Sequence, residues 1–145
     1  MRRRAADALA AVKVMLAAGA AADRPNKQGA TALMGAAENG HDLCVRALLE
    51  AGANPDGVGQ PFACERGGVP TPLHVSVCHS LVGSPPMRQA RLRCTQLLVE
   101  AGASIATVSP QDGNVLMHAV QHAQGLNGMV SFLLNHLGRA VQVDS

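Results

Sequence analysis

Three times in this chain an apolar pair is followed, two to three residues on, by the tripeptide Ala-Gly-Ala. Met15-Leu16 precedes Ala18-Gly19-Ala20, Leu48-Leu49 precedes Ala51-Gly52-Ala53, and Leu98-Val99 precedes Ala101-Gly102-Ala103. Glycine takes the left-handed conformation just past a helix C-terminus without steric cost, so a glycine recurring after an apolar, helix-forming run marks a helix end. The chain is therefore expected to be assembled from a recurring helical unit. Its composition agrees. Hydrophobic residues make up 48% and charged residues 15%, too apolar a balance for a disordered chain. The only aromatics are Phe62 and Phe132, which favours closely packed helices over a β-sandwich.

The spacing of these glycines gives the unit. Gly19 to Gly52 is 33 residues. Inside that span Gly29-Ala30-Thr31-Ala32-Leu33 reads as a tight turn entering a helix, Gly40-His41 as a break, and Leu43 to Ala51 as a second helix. Gly52 to Gly102 is 50 residues, 17 longer. Thr31 to Thr71 places seven of the extra residues before Thr71, and the other ten fall between the unit's two helices. Both insertions carry loop residues: Gly57, Gly59, Pro61, Gly67, Gly68 and Pro70 in one, Gly83, Ser84, Pro85 and Pro86 in the other, so neither is expected to be continuous helix. A last unit opens at Asp112-Gly113-Asn114, continues through Val115-Leu116-Met117-His118, and has a second helix over about Asn127 to Asn135. There Leu137-Gly138 replaces the Ala-Gly-Ala ending. At the other end, Ala5 to Ala18 reads as a second helix without its first.

With its 33-residue period, its Gly40-His41 inter-helix turn and the tetrapeptide Thr71-Pro72-Leu73-His74, the chain resembles the ankyrin-repeat family from roughly Ala8 to Gly138. The resemblance implies an all-α solenoid of about three and a half helix-turn-helix repeats with two loop insertions in the middle repeat. The divisions expected are a partial repeat at 1–24, a repeat at 25–56, the lengthened repeat at 57–108, and a capping repeat with its tail at 109–145. Stacked units share one core. Leu16, Leu49, Leu98 and Leu134 are expected to line it. Val45, Leu48, Cys94, Leu97, Val130, Phe132 and Leu133 join them from the second helices, and Leu33, Ala36, Leu73, Val77 and Met117 from the first.

Members of this family bind other proteins through hairpin tips and a concave row of inner helices, so the resemblance implies a non-catalytic interaction or scaffold module. The corresponding positions are Lys27, Gln28, Ala30, Gln111, Asp112 and Asn114 at the tips. On the inner helices they are Glu38, Asn39, Cys78, His79, His122 and Ala123, and the middle tip falls near Arg66. Phe62, in the 57–70 insertion, has two readings: an anchor for the partner, or a cover for the apolar edge of the middle repeat. The incomplete first unit leaves a place for further repeats N-terminal to it, in a longer protein or a large complex.

Two side-chain pairs carry chemistry that competes with the scaffold reading. His74 with Cys78 and His118 with His122 stand at i,i+4 spacing, which puts ligand types on one helix face and gives the alternative of a regulatory or zinc-linked domain. In the family, however, the histidine at the positions of His74 and His118 has a structural hydrogen-bonding role, and spacing alone supplies neither converging geometry nor a second shell. Cys78 beside His79 makes a poor nucleophile pair, because adjacent helical residues diverge. No Gly-Lys-Ser or Gly-Lys-Thr phosphate loop occurs. The sequence therefore points to no enzyme and no cofactor.

The formal net charge of +2, with Arg2, Arg3 and Arg4 together at one end, is too small to track nucleic acid, and stacking aromatics are lacking. Arg88, Arg91 and Arg93 read as the solvated side of a helix. The four cysteines Cys44, Cys64, Cys78 and Cys94 show no C-x-x-C pair and no secretory signal precedes them, which fits a reducing, intracellular compartment, cytoplasmic or nuclear. Ala5 to Ala22, the longest apolar stretch, is interrupted by Asp7 and Lys13, so no membrane insertion is expected. Arg2 to Arg4 followed by alanines imitates an organelle-targeting peptide, but the same alanines serve the first repeat.

Overall fold

Each Ala-Gly-Ala tripeptide closes a helix. In the computed structural model α1 spans Arg2–Ala17, α2 Ala32–Glu38, α3 Asp42–Glu50, α4 Pro72–Cys78, α5 Pro85–Glu100 and α6 Val115–Gln121, and residues 130–136 are helical again. The structure describes residues 2–27, 29–57, 71–78, 85–105, 108–109, 113–121, 128 and 130–136, and their side chains except at 2–5, 78, 108, 109, 113, 114, 116, 118 and 121.

The glycine after α3 shows why the motif recurs. Gly52 sits at φ +92°, its N–H donates to the Leu49 carbonyl, and the Ala53 N–H reaches back to the Leu48 carbonyl, both at 3.0 Å. This double bond pattern satisfies carbonyls that a helix end leaves open. Gly102 and Ala103 repeat it on Val99 and Leu98, and Gly19 and Ala20 on Leu16 and Met15. At the other end of a helix, Thr31 and Thr71 supply the N-caps. Their hydroxyls accept from the N–H groups of Met34 and His74, each at 3.3 Å.

The helices form two layers. The short helices stack as α2 on α4 and α4 on α6, the longer ones as α1 on α3 and α3 on α5, and the pairs α2–α3 and α4–α5 tie the layers together. Helix α4, flanked on both sides, is buried along the whole of Thr71–Val77. The shared core holds Leu33, Ala36, Val45, Leu48, Leu73, Val77, Cys94, Leu98 and Leu133, as the periodicity predicts. A two-residue antiparallel ladder, β1 (Val108–Ser109) with β2 (Gly113–Asn114), leads into α6 and is the one departure from helix among the described elements.

Four expectations are corrected. Leu134 and Met117 are exposed where core positions were expected, and Leu133 and Val115 are buried in the same helices instead. Leu16, Leu49, Leu97, Val130 and Phe132 pack against the core only half-buried. Pro85 and Pro86 do not interrupt the second insertion as loop residues; they form the first turn of α5, where the N–H that proline lacks has no helical partner to lose. Arg91 is not solvated. Only 7% of it is exposed.

Candidate partner-binding surface

The first hairpin tip is closed by hydrogen bonds. Asn26 closes it in three ways: its N–H donates to the Ala30 carbonyl at 2.9 Å, its side-chain Oδ1 accepts from the Ala30 N–H at 3.0 Å, and its carbonyl accepts from the Gly29 N–H at 3.0 Å. Gly29, at φ +86°, takes the left-handed conformation this closure needs. Lys27 is thereby held out into solvent, with Ala30 half-buried behind it.

Successive loops after the second helices are joined by aspartates. Asp23 Oδ1 accepts from the Asn54 N–H at 2.8 Å, and Asp56 Oδ1 accepts from the Ser104 N–H at 2.7 Å. A carboxylate accepting from a backbone N–H makes a short, charge-assisted bond, so each of these loops is fixed relative to the next. Asn54 Oδ1 also accepts from the Asp56 N–H at 3.0 Å, which orients the second aspartate's own loop. The sequence carried a signal for these links that periodicity reasoning passed over: Asp23 and Asp56 are themselves 33 residues apart.

Below the tip, α2 ends at Glu38 and Asn39. Asn39 is exposed, and its side-chain amide donates to the Gly35 carbonyl at 2.8 Å, so it caps the helix it follows. Glu38 is half-buried, and its carbonyl accepts from Arg91 Nε at 3.1 Å. The guanidinium thus crosses from α5 to the C-terminal end of α2, where the helix dipole favours positive charge. Burial pulls the Arg91 pKa below its ordinary value, and the neighbouring Glu38 carboxylate opposes that fall. The approach is close. A Cβ on Gly40 would lie 3.2 Å from Met87 Sδ, 3.3 Å from Ala90 Cβ and 3.5 Å from Arg91 Cγ, and Gly40 has φ +70°.

Polar groups also join α4 to α5. Ser76 Oγ lies 3.0 Å from Thr95 Oγ1, while Ser76 donates toward the Leu73 carbonyl at 2.8 Å and Thr95 toward the Arg91 carbonyl at 3.0 Å. Two hydroxyl protons serve three contacts, so only two of the three are hydrogen bonds at any moment. His74 is buried, and its Nδ1 pairs with Thr71 Oγ1 at 2.9 Å, which gives this histidine a place inside its own helix cap.

The remaining expected residues divide by what the structure describes. Gln28, Phe62, Arg66, His79, Gln111, Asp112, His122 and Ala123 lie outside the described residues, as does Cys64. Cys78 ends α4 and Asn114 ends β2, each placed by its backbone alone, and His118 is placed likewise in α6. Among the described residues no three His, Cys, Asp or Glu side chains converge as a metal site would require. Cys44 and Cys94 are buried free thiols, and burial pushes Cys94 up to about 12 with Asp42 adding to the rise; Cys44 is raised for the same two reasons. They are core residues held in the unreactive thiol form. On the opposite layer a shallow groove of about 200 Å³ is lined by Asp42, Arg46, Arg93, Gln96, Leu97 and Glu100, a surface of mixed charge. No helix among the described residues is long and apolar enough to cross a membrane.

Comparison with known proteins agrees with the architecture. The family model for ankyrin repeats, in three copies, matches residues 4–106. No curated protein matches the chain.

Proposed function

The chain belongs to the ankyrin-repeat family, whose repeats are generally protein–protein interaction modules, and we propose that it is a non-catalytic scaffold that binds a partner protein through its hairpin tips and short-helix layer. The partner surface comprises Lys27, Gln28 and Ala30 at the first tip, Gln111, Asp112 and Asn114 at the last, and Glu38, Asn39, Cys78, His79 and His122 along the short helices. The 57–70 insertion adds Phe62 and Arg66.

The observation that carries this reading is the hydrogen-bonded closure of the first tip. Lys27 stands exposed on a loop closed by three hydrogen bonds, and that loop is joined to the next by Asp23. A loop already fixed in one conformation loses little entropy when a partner settles on it, which is the main advantage a scaffold can give to a binding loop. The free thiols at Cys44 and Cys94 accord with a reducing, intracellular setting.

A photo-crosslinking side chain at position 27 tests the assignment against one at Arg46, which is exposed on the opposite layer. A partner is expected to couple to position 27 and not to 46. Coupling from 46 alone refutes the proposed face. Phe62→Ala is expected to weaken that coupling at unchanged melting temperature; a large drop in melting temperature assigns Phe62 to the fold instead.

A further inference from the structure

Asn39 is followed directly by Gly40, and the fold has a separate use for each. Gly40 is buried at φ +70°, and a Cβ there would stand 3.2 Å from Met87 Sδ and 3.3 Å from Ala90 Cβ, so no larger residue fits without strain. Asn39 is the exposed residue that closes α2. Its N–H and its side-chain amide both donate to the Gly35 carbonyl, at 3.2 and 2.8 Å.

The same pairing is chemically labile, because an asparagine amide beside a peptide nitrogen that no side chain shields can close a five-membered ring. In that reaction the Gly40 nitrogen gives its proton to a base in solution and bonds to Asn39 Cγ. The Cγ–Nδ2 bond breaks, and Nδ2 takes up a proton and leaves as ammonia. Water then opens the cyclic imide at either of its two carbonyls. One opening leaves an ordinary aspartate at position 39; the other routes the main chain through Cβ and leaves the α-carboxylate free. One water is consumed and one ammonia released, and nothing is oxidised or reduced.

The fold holds the reacting groups apart. Asn39 lies at φ −89° and ψ 1°, far from the eclipsed arrangement of Cβ and the Gly40 nitrogen that ring closure requires. The Gly40 N–H donates to the Ala37 carbonyl at 3.3 Å, while the amide is tied to Gly35. Both bonds lie in the last turn of a seven-residue helix, and helix ends are where local opening is easiest. Helix α5 closes that turn from outside: Arg91 Nε donates to the Glu38 carbonyl at 3.1 Å, and Met87 and Ala90 lie against Gly40.

We propose that Asn39–Gly40 is a site of spontaneous deamidation, gated by the contact of α5 with the end of α2, whose products weaken the turn they form in. An aspartate has no N–H to give the Gly35 carbonyl, and its charge stands at the negative end of the α2 dipole. The β-linked product adds one atom to the main chain just before the His41 N–H, which donates to the Ala36 carbonyl at 2.9 Å, and so displaces the turn into α3. Either product puts a negative charge on the short-helix surface proposed for the partner, but the reaction does not depend on that surface binding anything.

The test incubates the full chain near neutral pH in buffer and in urea. Mass spectrometry follows the tryptic peptide Gln28–Arg46, electron-transfer fragmentation identifies the β-linked form, and Asn127–Gly128, the same dipeptide elsewhere in the chain, calibrates the unguarded rate in urea. Deamidation at Asn39 is expected to be slower in buffer than in urea by roughly tenfold or more, and Arg91→Met should recover at least about fivefold of that. Arg93→Met, and Asp56→Ala at a different junction, should leave the rate unchanged. Asn39→Gln, which would have to close a six-membered ring, should abolish the product, and Asn39→Asp should melt roughly 2–4 °C below the parent chain. Equal rates in buffer and urea, or no acceleration by Arg91→Met, overturn the gating. So does equal acceleration by Arg91→Met and Asp56→Ala, which would make global unfolding the route. Product that persists in Asn39→Gln overturns the site, and an unchanged melting temperature for Asn39→Asp overturns the weakening. None of these outcomes bears on crosslinking at position 27.

Discussion

Arg91 and Arg93 lie two residues apart on α5, and exchanging each for methionine should give opposite results. Arg93 is 63% exposed, with its Nη1 at 3.9 Å from Asp42, a distance at which an exposed pair contributes little. Arg91 is buried, and its Nε donates to the carbonyl of Glu38 at the end of α2. Methionine keeps most of the aliphatic stem that passes Gly40, so Arg91→Met isolates the polar contribution. A hydrogen bond from a charged donor contributes about 1.5–3 kcal/mol, and a cation at a helix C-terminus adds about 0.3–1 kcal/mol. Against this stands relief of the desolvation that lowers the Arg91 pKa. The net loss expected is about 1–3 kcal/mol, or roughly 2–4 °C in melting temperature for each kcal/mol. Urea unfolding followed by circular dichroism should show a lower midpoint at unchanged slope for Arg91→Met and a change within about 0.5 kcal/mol for Arg93→Met. Equal effects of the two, or no effect of Arg91→Met, would refute the view that a guanidinium joins these two units.

The other expectations follow the same contacts. Gly40→Ala should destabilise more than Gly52→Ala in thermal unfolding, since both incur about 1–2 kcal/mol of left-handed strain but only position 40 adds contacts near 3.2 Å with α5. Asp56→Ala, which breaks the partly buried link to Ser104, should lower stability by about 1–3 kcal/mol, and Asp23→Ala, at the exposed link to Asn54, by less; a reversed order would mean that burial does not set the strength of these links. The Cys94 thiol keeps its proton in the fold to about pH 12, while an unfolded chain releases it near 9.0, so the unfolded state binds fewer protons in that window. Stability should therefore be unaffected by this group below about pH 9 and fall above it, by up to about 1.4 kcal/mol per pH unit. Cys94→Ala, compared by chemical denaturation between pH 8 and 11, should flatten that decline.

What could be read from the sequence and what could not divide along a physical line. Helix ends were legible because a glycine at positive φ is a local necessity: Gly19, Gly52 and Gly102 declare their conformation without reference to anything distant. The alternation of buried positions in α2 to α5 was legible for a similar reason, since a helix between two neighbours must hide the same stripe each time. At the ends of the stack that inference fails. Met15 and Met117 have the residue type and register of core positions and are exposed all the same, because burial depends on whether a neighbour is present. Arg91 fails in the opposite sense. A charge on a helix reads as solvated until one knows that α2 ends directly beneath it, with Gly40 letting the α5 side chains approach. Between these cases lie the aspartates. Asp23 and Asp56 repeat at the period of the glycines, so the pattern was visible, but a polar residue in a loop has many uses and only the N–H it faces gives it one. The contacts that fix one unit on the next are therefore the ones that periodicity leaves out. Those contacts also hold Lys27 and its tip in place, so disrupting Asp23 should loosen the proposed partner surface without touching a residue that binds.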